Sequence, residues 1–322
     1  MTDRIIMEWI AANPDAGRLK IAAKFGINEQ RARELKAVVT KKAELSGVEF
    51  ATPDKLLGEL LNEKGLSLDQ IRELLNPKTE QIAKIDTANR RSFAVGICGD
   101  THLGDKACAV DQLHDLYRRY DDAGVVGVLH AGDVTAGNDV YRGQYNDLRA
   151  FGFSDQLRYA IDNYPILKNG AKTYAISGNH DLSFKVGNGA HFLSALVEKR
   201  PDIVDCGDYD GRVDVGGISF ALHHGDGGGT YAESYKLQKA IEILASGHKP
   251  QVYILGHYHT ALYMFRRNIH CLTPGCTQWS NDFSIRKNLP NAVCGWVVHI
   301  EVLDDDRHTI RKFSPELISY YQ

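Results

Sequence analysis

The spacing of apolar residues changes character at Ser92. Before it they recur every three or four positions, the period of a helix with one buried face. After it they gather in short runs rich in β-branched and aromatic residues, each closed by glycine or polar residues, as buried strands do. Ile5, Ile6, Trp9 and Ile10 predict a first helix that ends at Asn13-Pro14-Asp15. Leu19, Ile21, Ala22 and Phe25 form the inner face of a second, broken at Gly26-Ile27. Asn28 is placed to cap a third, with Ala32, Leu35, Val38 and Val39 inside and Arg31, Arg33, Lys36, Lys41 and Lys42 around its outer surface.

Helix, glycine-containing turn and basic helix is the order of a helix-turn-helix, whose second helix can enter a DNA major groove. On that reading Arg31, Arg33 and Lys36 contact nucleic acid; on the plainer one they solvate an exposed face of a small helical hairpin. Thr52-Pro53 starts a further helix that Gly65 closes, and Ser67 with Gln70 forms a capping box for another ending before Asn76-Pro77. The polar residues 77–90 read as a linker. Three segments result: a helix-turn-helix-like domain at 1–45, additional helices and linker at 46–91, and a catalytic domain at 92–322.

Five apolar runs in the last segment end in the same way. Phe93–Cys98 leads into Gly99-Asp100-Thr101-His102, and Val125–His130 into Gly132-Asp133. Thr173–Ser177 leads into Gly178-Asn179-His180-Asp181, Ile218–Leu222 into His223-His224-Gly225-Asp226, and Val252–Leu255 into Gly256-His257-Tyr258-His259. Open α/β sheets build their sites at the carboxyl ends of strands. A lone Asp-x-His is weak evidence, because alternate residues of a strand share a face for many reasons, but five such endings are not explained by packing.

Composition narrows the setting. With 43% hydrophobic and 25% charged residues in 322, the chain is an ordinary globular one, and its net charge of -3 gives no global attraction to nucleic acid or acidic lipid. No apolar run is long enough to span a bilayer, and the first residues lead into an amphipathic segment rather than a signal-peptide core, so the cytoplasm and no membrane partner are expected. The six cysteines form no CxxC pair and are expected to be free, mostly buried thiols.

The donors Asp100, His102, Asp133, Asn179, His224, His257 and His259 are all oxygen or nitrogen, which suits Mn, Fe, Zn or Ni rather than Cu(I) or an iron–sulfur cluster. Seven exceed one tetrahedral site. If Asp133 bridges, they divide into two sets of four around two divalent ions, Mn foremost, that together activate water and polarise a phosphoryl oxygen. His180 beside them is the candidate catalytic acid.

In this order the motifs resemble the signature of the calcineurin-like metallophosphoesterases, over about residues 92–300 and extending to the Thr273-Pro274-Gly275-Cys276 turn. The resemblance implies an α/β fold, a double β-sheet sandwich flanked by helices, here with an N-terminal all-α region. It implies one metal on Asp100, His102, Asp133 and His259, a second on Asp133, Asn179, His224 and His257, and in-line attack of a metal-bound hydroxide on phosphorus. Asp181 and Asp226 would orient imidazole ligands from behind. The protein Ser/Thr phosphatase branch carries Gly-Asp-x-x-Asp-Arg-Gly at the second motif, its second Asp steadying the catalytic histidine. Here Gly132-Asp133-Val134-Thr135-Ala136-Gly137 lacks both that Asp and the Arg, leaving Asp139 as a substitute to orient His180. Asp100-Thr101-His102-Leu103-Gly104 looks more like the phosphodiesterase and DNA-repair nuclease branches.

The expected activity is therefore a phosphodiesterase or nuclease on nucleic acid, DNA ahead of RNA. Arg266, Arg267, Arg286 and Lys287 are candidate phosphate contacts, and Tyr141, Tyr258 and Trp279 candidate stacking platforms. Two alternatives stand beside it. One is a phosphatase or phosphodiesterase for a small nucleotide or phosphomonoester, its helices used for oligomerisation. The other is a DNA-binding regulator whose phosphoesterase domain senses. The oligomeric state is not read from the sequence.

Overall fold

A computed structural model of the chain describes residues 3–46, 82–244, 249–289, 291–305 and 308–321. The chain divides into two compact units, Met1–Thr79 and Glu80–Gln322, each described by itself. The helices expected between Thr52 and Asn76 lie outside the described residues.

In the first unit, helices α1 (Asp3–Ala12), α2 (Arg18–Phe25) and α3 (Glu29–Ser46) fall where the periodicity put them. Ile6, Ile10, Ile21, Ala32 and Leu35 are buried together. Ile5 and Leu19, expected inside, are exposed, because only residues three or four apart share a helix face, and Ile6 with Ile10 and Ile21 with Phe25 take it. Gly26 closes α2 at φ 64°, the left-handed cap that glycine accepts without strain.

The second unit opens with strand β1 (Ala83–Ile85), in a stretch whose polarity reads as linker. Three residues are too few to show a strand period; β1 is held by parallel pairing to Val213–Val215 and by burial of Ile85. There follow β2 (Ser92–Cys98), α4 (Val110–Asp122), β3 (Val128–His130), α5 (Gly152–Asn163), β4 (Thr173–Ser177), α6 (Asn179–Asn188), α7 (Phe192–Lys199), β5 (Ile203–Asp208), β6 (Asp210–Val215) and β7 (Ile218–His224). The order continues with α8 (Ser234–Glu242), β8 (Val252–Gly256), β9 (Ala261–Arg266), β10 (Ile269–Pro274), α9 (Asp282–Lys287), β11 (Cys294–Val302) and β12 (Ile310–Ser319). Among the described residues the strands form two mixed six-stranded sheets, ordered β1-β6-β7-β8-β10-β9 and β12-β11-β2-β3-β4-β5. This is the double-sheet sandwich flanked by helices.

Strand parity explains the layers. Phe93, Val95 and Ile97 of β2 enter the core between the sheets with Phe220 and Leu222 of β7 and Ile254 of β8. The alternate residues Ala94 and Cys98 pack under the helices with Leu113, Leu116 and Tyr117 of α4. That outer face is small because α4 lies close: a Cβ on Gly96 would sit 3.0 Å from the Tyr120 ring. In β7 the parity that buries Ile218, Phe220 and Leu222 between the sheets continues to His224 at the strand end. Tyr253, Leu255 and Leu237 form a smaller cluster on the outer face of the other sheet, with α8.

Candidate active site

Strands β2, β3 and β4 are parallel neighbours in one sheet, and β7 and β8 in the other, so their carboxyl ends bring five motifs to one end of the sandwich. Bonds within the motifs then tie the sheets to each other. The backbone N–H of His257 donates to both Asp100 carboxylate oxygens, at 3.1 and 3.0 Å, and His224 Nδ1 donates to the Ala131 carbonyl at 2.8 Å. Within one sheet, the ends of β2 and β3 are joined as Asp100 N donates to Gly132 O and His102 N to Asp133 O.

Close approach dictates the glycines. Gly178 holds ordinary extended angles, φ -110° and ψ -173°, yet any Cβ there would collide with the Asp133 side chain. Gly132 combines φ 92° with a Cβ position 2.5 Å from His224 Nδ1. The polar residues themselves are held in the left-handed region: Asp100, His102, Asp133, His257 and His259 have φ of 51°, 46°, 56°, 83° and 51°. Each such non-glycine residue costs on the order of 1–3 kcal/mol and persists where surrounding structure imposes it, most often at functional sites.

Three groups of donor atoms lie within 4.8 Å of one another: Asp100, His102 and His259; His102, Asp133 and His180; and Asp133, His224 and His257. All seven expected ligands are in or against these groups. Asn179 Oδ1 lies 3.1 Å from His224 Nε2 and 3.0 Å from His257 Nδ1. Asp133 Oδ2 is 3.1 Å from His224 Nε2, and His102 Nε2 is 3.0 Å from His259 Nε2.

The tautomers can be read from the far side of each ring. His224 Nδ1 points at the Ala131 carbonyl and His257 Nε2 at the Gly227 carbonyl, 2.9 Å away, so those nitrogens carry hydrogen. In the neutral rings, His224 Nε2 and His257 Nδ1 are then acceptors, and they face Asn179 Oδ1 and, for His224, Asp133 Oδ2, which are acceptors too. Four lone-pair atoms converge with no hydrogen between them. That donor set fits a cation. Without one, a proton supplies the charge: burial lowers the His224 imidazolium, but the Asp133 carboxylate raises it further, to about 9. Burial would raise the Asp133 carboxyl, yet the His224, His180 and His102 imidazoles hold it well below the usual carboxylate range.

His180 stands at the edge of the cluster, its ring edge-on to His102 at 4.5 Å and its Nε2 3.9 Å from Asp133 Oδ2. Its backbone N–H donates to Asp133 Oδ1 at 2.8 Å. The orienting partner is not Asp139, which accepts from Asn138, but the Ala136 carbonyl, 2.5 Å from His180 Nδ1. Asp181 is buried but meets no imidazole: it accepts from the backbone N–H groups of Gly178, Val134 and Thr135 at 2.9, 3.1 and 2.9 Å, fixing the Asp133 loop to the start of α6. Burial and the Asp133 charge push its carboxyl up to about 7. Asp226 is exposed and its carboxylate caps Gly227 N; the bond from this residue to the site side is its carbonyl accepting from Tyr258. Backbone carbonyls at Ala131, Ala136 and Gly227 thus do the orienting expected of carboxylates, and they leave no side-chain signature in a sequence.

The model of the calcineurin-like phosphoesterase superfamily domain matches residues 93–287. The chain belongs to that superfamily. Among curated relatives, the DNA polymerase II small subunit of Halobacterium salinarum is 23% identical over 310 residues, covering 81% of this chain and 59% of its own. That of Archaeoglobus fulgidus is 24% identical over 148 residues, covering 42% and 30%. The chain thus spans less than two-thirds of the length of these relatives. Among solved structures, a novel archaeal phosphodiesterase aligns at a TM-score of 0.40 and 18% identity, covering 70% of this chain and 100% of its own. Yfce, a phosphoesterase from E. coli, aligns at 0.38 and 15%, covering 69% and 98%.

The other candidates disperse. Arg31 pairs with Glu34 at 3.0 Å and Lys36 Nζ donates to the Ala16 carbonyl at 2.7 Å, while Arg33 is exposed. Arg266 pairs with Glu242, and Arg267 donates to the Ile241 and Glu242 carbonyls, so both bind the end of α8. Tyr141 stacks on Phe283, and the Tyr258 ring lies edge-on to His257. All six cysteines are free, four of them buried. Among the described residues no helix is long and apolar enough to cross a membrane.

Proposed function

We propose that this superfamily member hydrolyses phosphodiesters of nucleic acid, DNA ahead of RNA, with two divalent cations. Asp100, His102, Asp133 and His259 would hold one, and Asp133, Asn179, His224 and His257 the other, with Mn the first choice. The observation that carries this is the convergence of acceptor atoms around Asn179 Oδ1 and Asp133 Oδ2, with imidazole tautomers set from behind by Ala131 and Gly227. When bound, the cations supply Lewis-acid activation of water and neutralise charge developing on the phosphoryl oxygens.

The chain's own residues supply positioning and the proton. Asp133 belongs both to the group with His102 and His180 and to the group with His224 and His257, and through Oδ1 it fixes the first turn of α6. Ala136 holds His180 by Nδ1, so the opposite nitrogen, Nε2, faces the cluster and in the protonated ring gives its hydrogen to the leaving oxygen as the P–O bond breaks. The first unit is the second element of the proposal. The names of the curated relatives, DNA polymerase small subunits, favour a nucleic-acid setting. Against contact through α3, Arg31 and Lys36 are engaged inside the unit, and that favours the second reading, a small phosphoester substrate with the helices used for association.

Turnover of bis-p-nitrophenyl phosphate, p-nitrophenyl phosphate and single- and double-stranded DNA with Mn²⁺ separates the readings, with and without residues 1–79. Cutting at 79 rather than 90 keeps β1. DNA cleavage whose KM alone rises on truncation supports the first reading. Monoester turnover indifferent to truncation supports the second.

A further inference from the structure

Two buried glutamines lie against the loop after Asp133, one within it and one on the helix that follows. Gln144, on the single turn Gln144–Asn146, is 2% exposed, and Gln156, on α5, is fully buried. A buried amide costs stability unless every polar atom is paired, and methionine or leucine would fill the same volume without that cost. Here each amide is paired, and all its partners except the Ala150 carbonyl belong to the loop around Ala136.

The Ala136 carbonyl accepts twice, from His180 Nδ1 at 2.5 Å and from Gln144 Nε2 at 2.7 Å. Gln144 Oε1 in turn accepts from Val140 N at 2.9 Å. A carbonyl oxygen has two lone pairs, so the Gln144 bond decides which of them meets the imidazole. Gln156 holds the peptides on either side. Its Oε1 accepts from Thr135 Oγ1 at 2.6 Å and Gly137 N at 2.9 Å, and its Nε2 donates to Gly137 O at 2.8 Å and Ala150 O at 3.3 Å. Gly137 has φ 74°, and a Cβ there would lie 2.5 Å from His180 O, so the clamped loop also bears directly on the backbone of His180.

We propose that Gln144 and Gln156 are positioning residues for His180: they fix the Ala136 carbonyl so that a main-chain oxygen takes the orienting role a carboxylate would otherwise play. The proposal rests on His180 as the proton donor. A general acid matters most when the leaving oxygen is a poor one, and its loss costs roughly 10²–10⁴-fold there. A loosened loop therefore penalises an alkoxide leaving group more than p-nitrophenolate, whereas general loss of structure penalises both alike.

The test compares two thymidylate diesters, one releasing p-nitrophenolate and one a simple alkoxide, with full-length wild type, Gln144→Met, Gln156→Met and His180→Ala. In His180→Ala the ratio of p-nitrophenyl to alkyl turnover rises on the order of 10²-fold or more. In each glutamine variant it rises at least about 10-fold with KM little changed. Equal losses on both substrates in folded glutamine variants, while His180→Ala shows the split, overturn the proposal alone. No split in His180→Ala overturns the proton-donor role and this proposal with it. Should Gln156→Met fail to fold, Gln144→Met decides, since its side chain touches only Ala136 and Val140 among these partners.

Discussion

Gly178→Ala tests how tightly the site is built. Because Gly178 holds φ -110° and ψ -173°, alanine meets no backbone strain there, and the whole effect is crowding. Its Cβ would stand 2.6 Å from Asp133 N and 2.7 Å from Asp133 Cγ, against the 3.4 Å at which ordinary contact begins. The Asp133 Oδ1 contact is closer still, so Asp133 and α6 must separate by roughly 1 Å. Overpacking of this kind costs about 1–3 kcal/mol, and a domain of this size loses about 2–4 °C of Tm per kcal/mol. Activity suffers more, since Asp133 contacts His180 N and faces His224: a misplacement near 1 Å costs on the order of 10²-fold in rate. Calorimetry and turnover of bis-p-nitrophenyl phosphate with Mn²⁺ read the two effects. The control is Gly187→Ala in the same helix, where a Cβ meets nothing within 4 Å. It should raise stability by about 0.5–1 kcal/mol with activity kept. Wild-type turnover in Gly178→Ala would refute the claim that Asp133 has no room to move.

Other consequences are checked separately. Asp181→Asn keeps one oxygen but turns an amide N–H toward a backbone donor, and should cost about 2–4 kcal/mol in denaturant unfolding; a loss under ~1 kcal/mol would mean that the three backbone bonds carry little. Asp105 is pushed by burial up to about 6 from its usual 3.8, so the folded chain binds more protons than the unfolded one between those values. Its contribution is present below about 4 and lost as pH rises through about 6; Asp105→Asn should remove that decline from the stability curve, and an unchanged curve counts against it. Chelation should lower Tm by several degrees and Mn²⁺ restore it, since each ion at 100-fold its Kd adds about 2.7 kcal/mol; a Tm indifferent to chelator would leave the left-handed strain at the site without its compensation.

The end of the fold that carries the candidate site was legible because each candidate is a side chain at the end of an apolar run. Parity alone carries His224 from the buried face of β7 to the site. The division of five similar runs between two sheets was not legible, since β2, β3 and β4 read just as β7 and β8 do. Strand β1 escaped because three residues carry no period, and Ile5 and Leu19 misled because apolar residues adjacent to a buried stripe look like part of it. The carbonyls of Ala131, Ala136 and Gly227 escaped for a deeper reason: every residue has one, and only the folded loop shows which is aimed at an imidazole. Asp181 was singled out from the sequence as an imidazole partner, but its partners are backbone N–H groups, which spacing cannot distinguish from rings.

The central claim is that two cations share Asp133. Anomalous diffraction at the Mn edge from crystals grown with Mn²⁺ tests it most directly. Two peaks about 3.5–4 Å apart, with an Asp133 carboxylate oxygen against both, are expected, one beside Asp100, His102 and His259 and the other beside Asn179, His224 and His257. A single peak, or two peaks of which Asp133 touches only one, would contradict it.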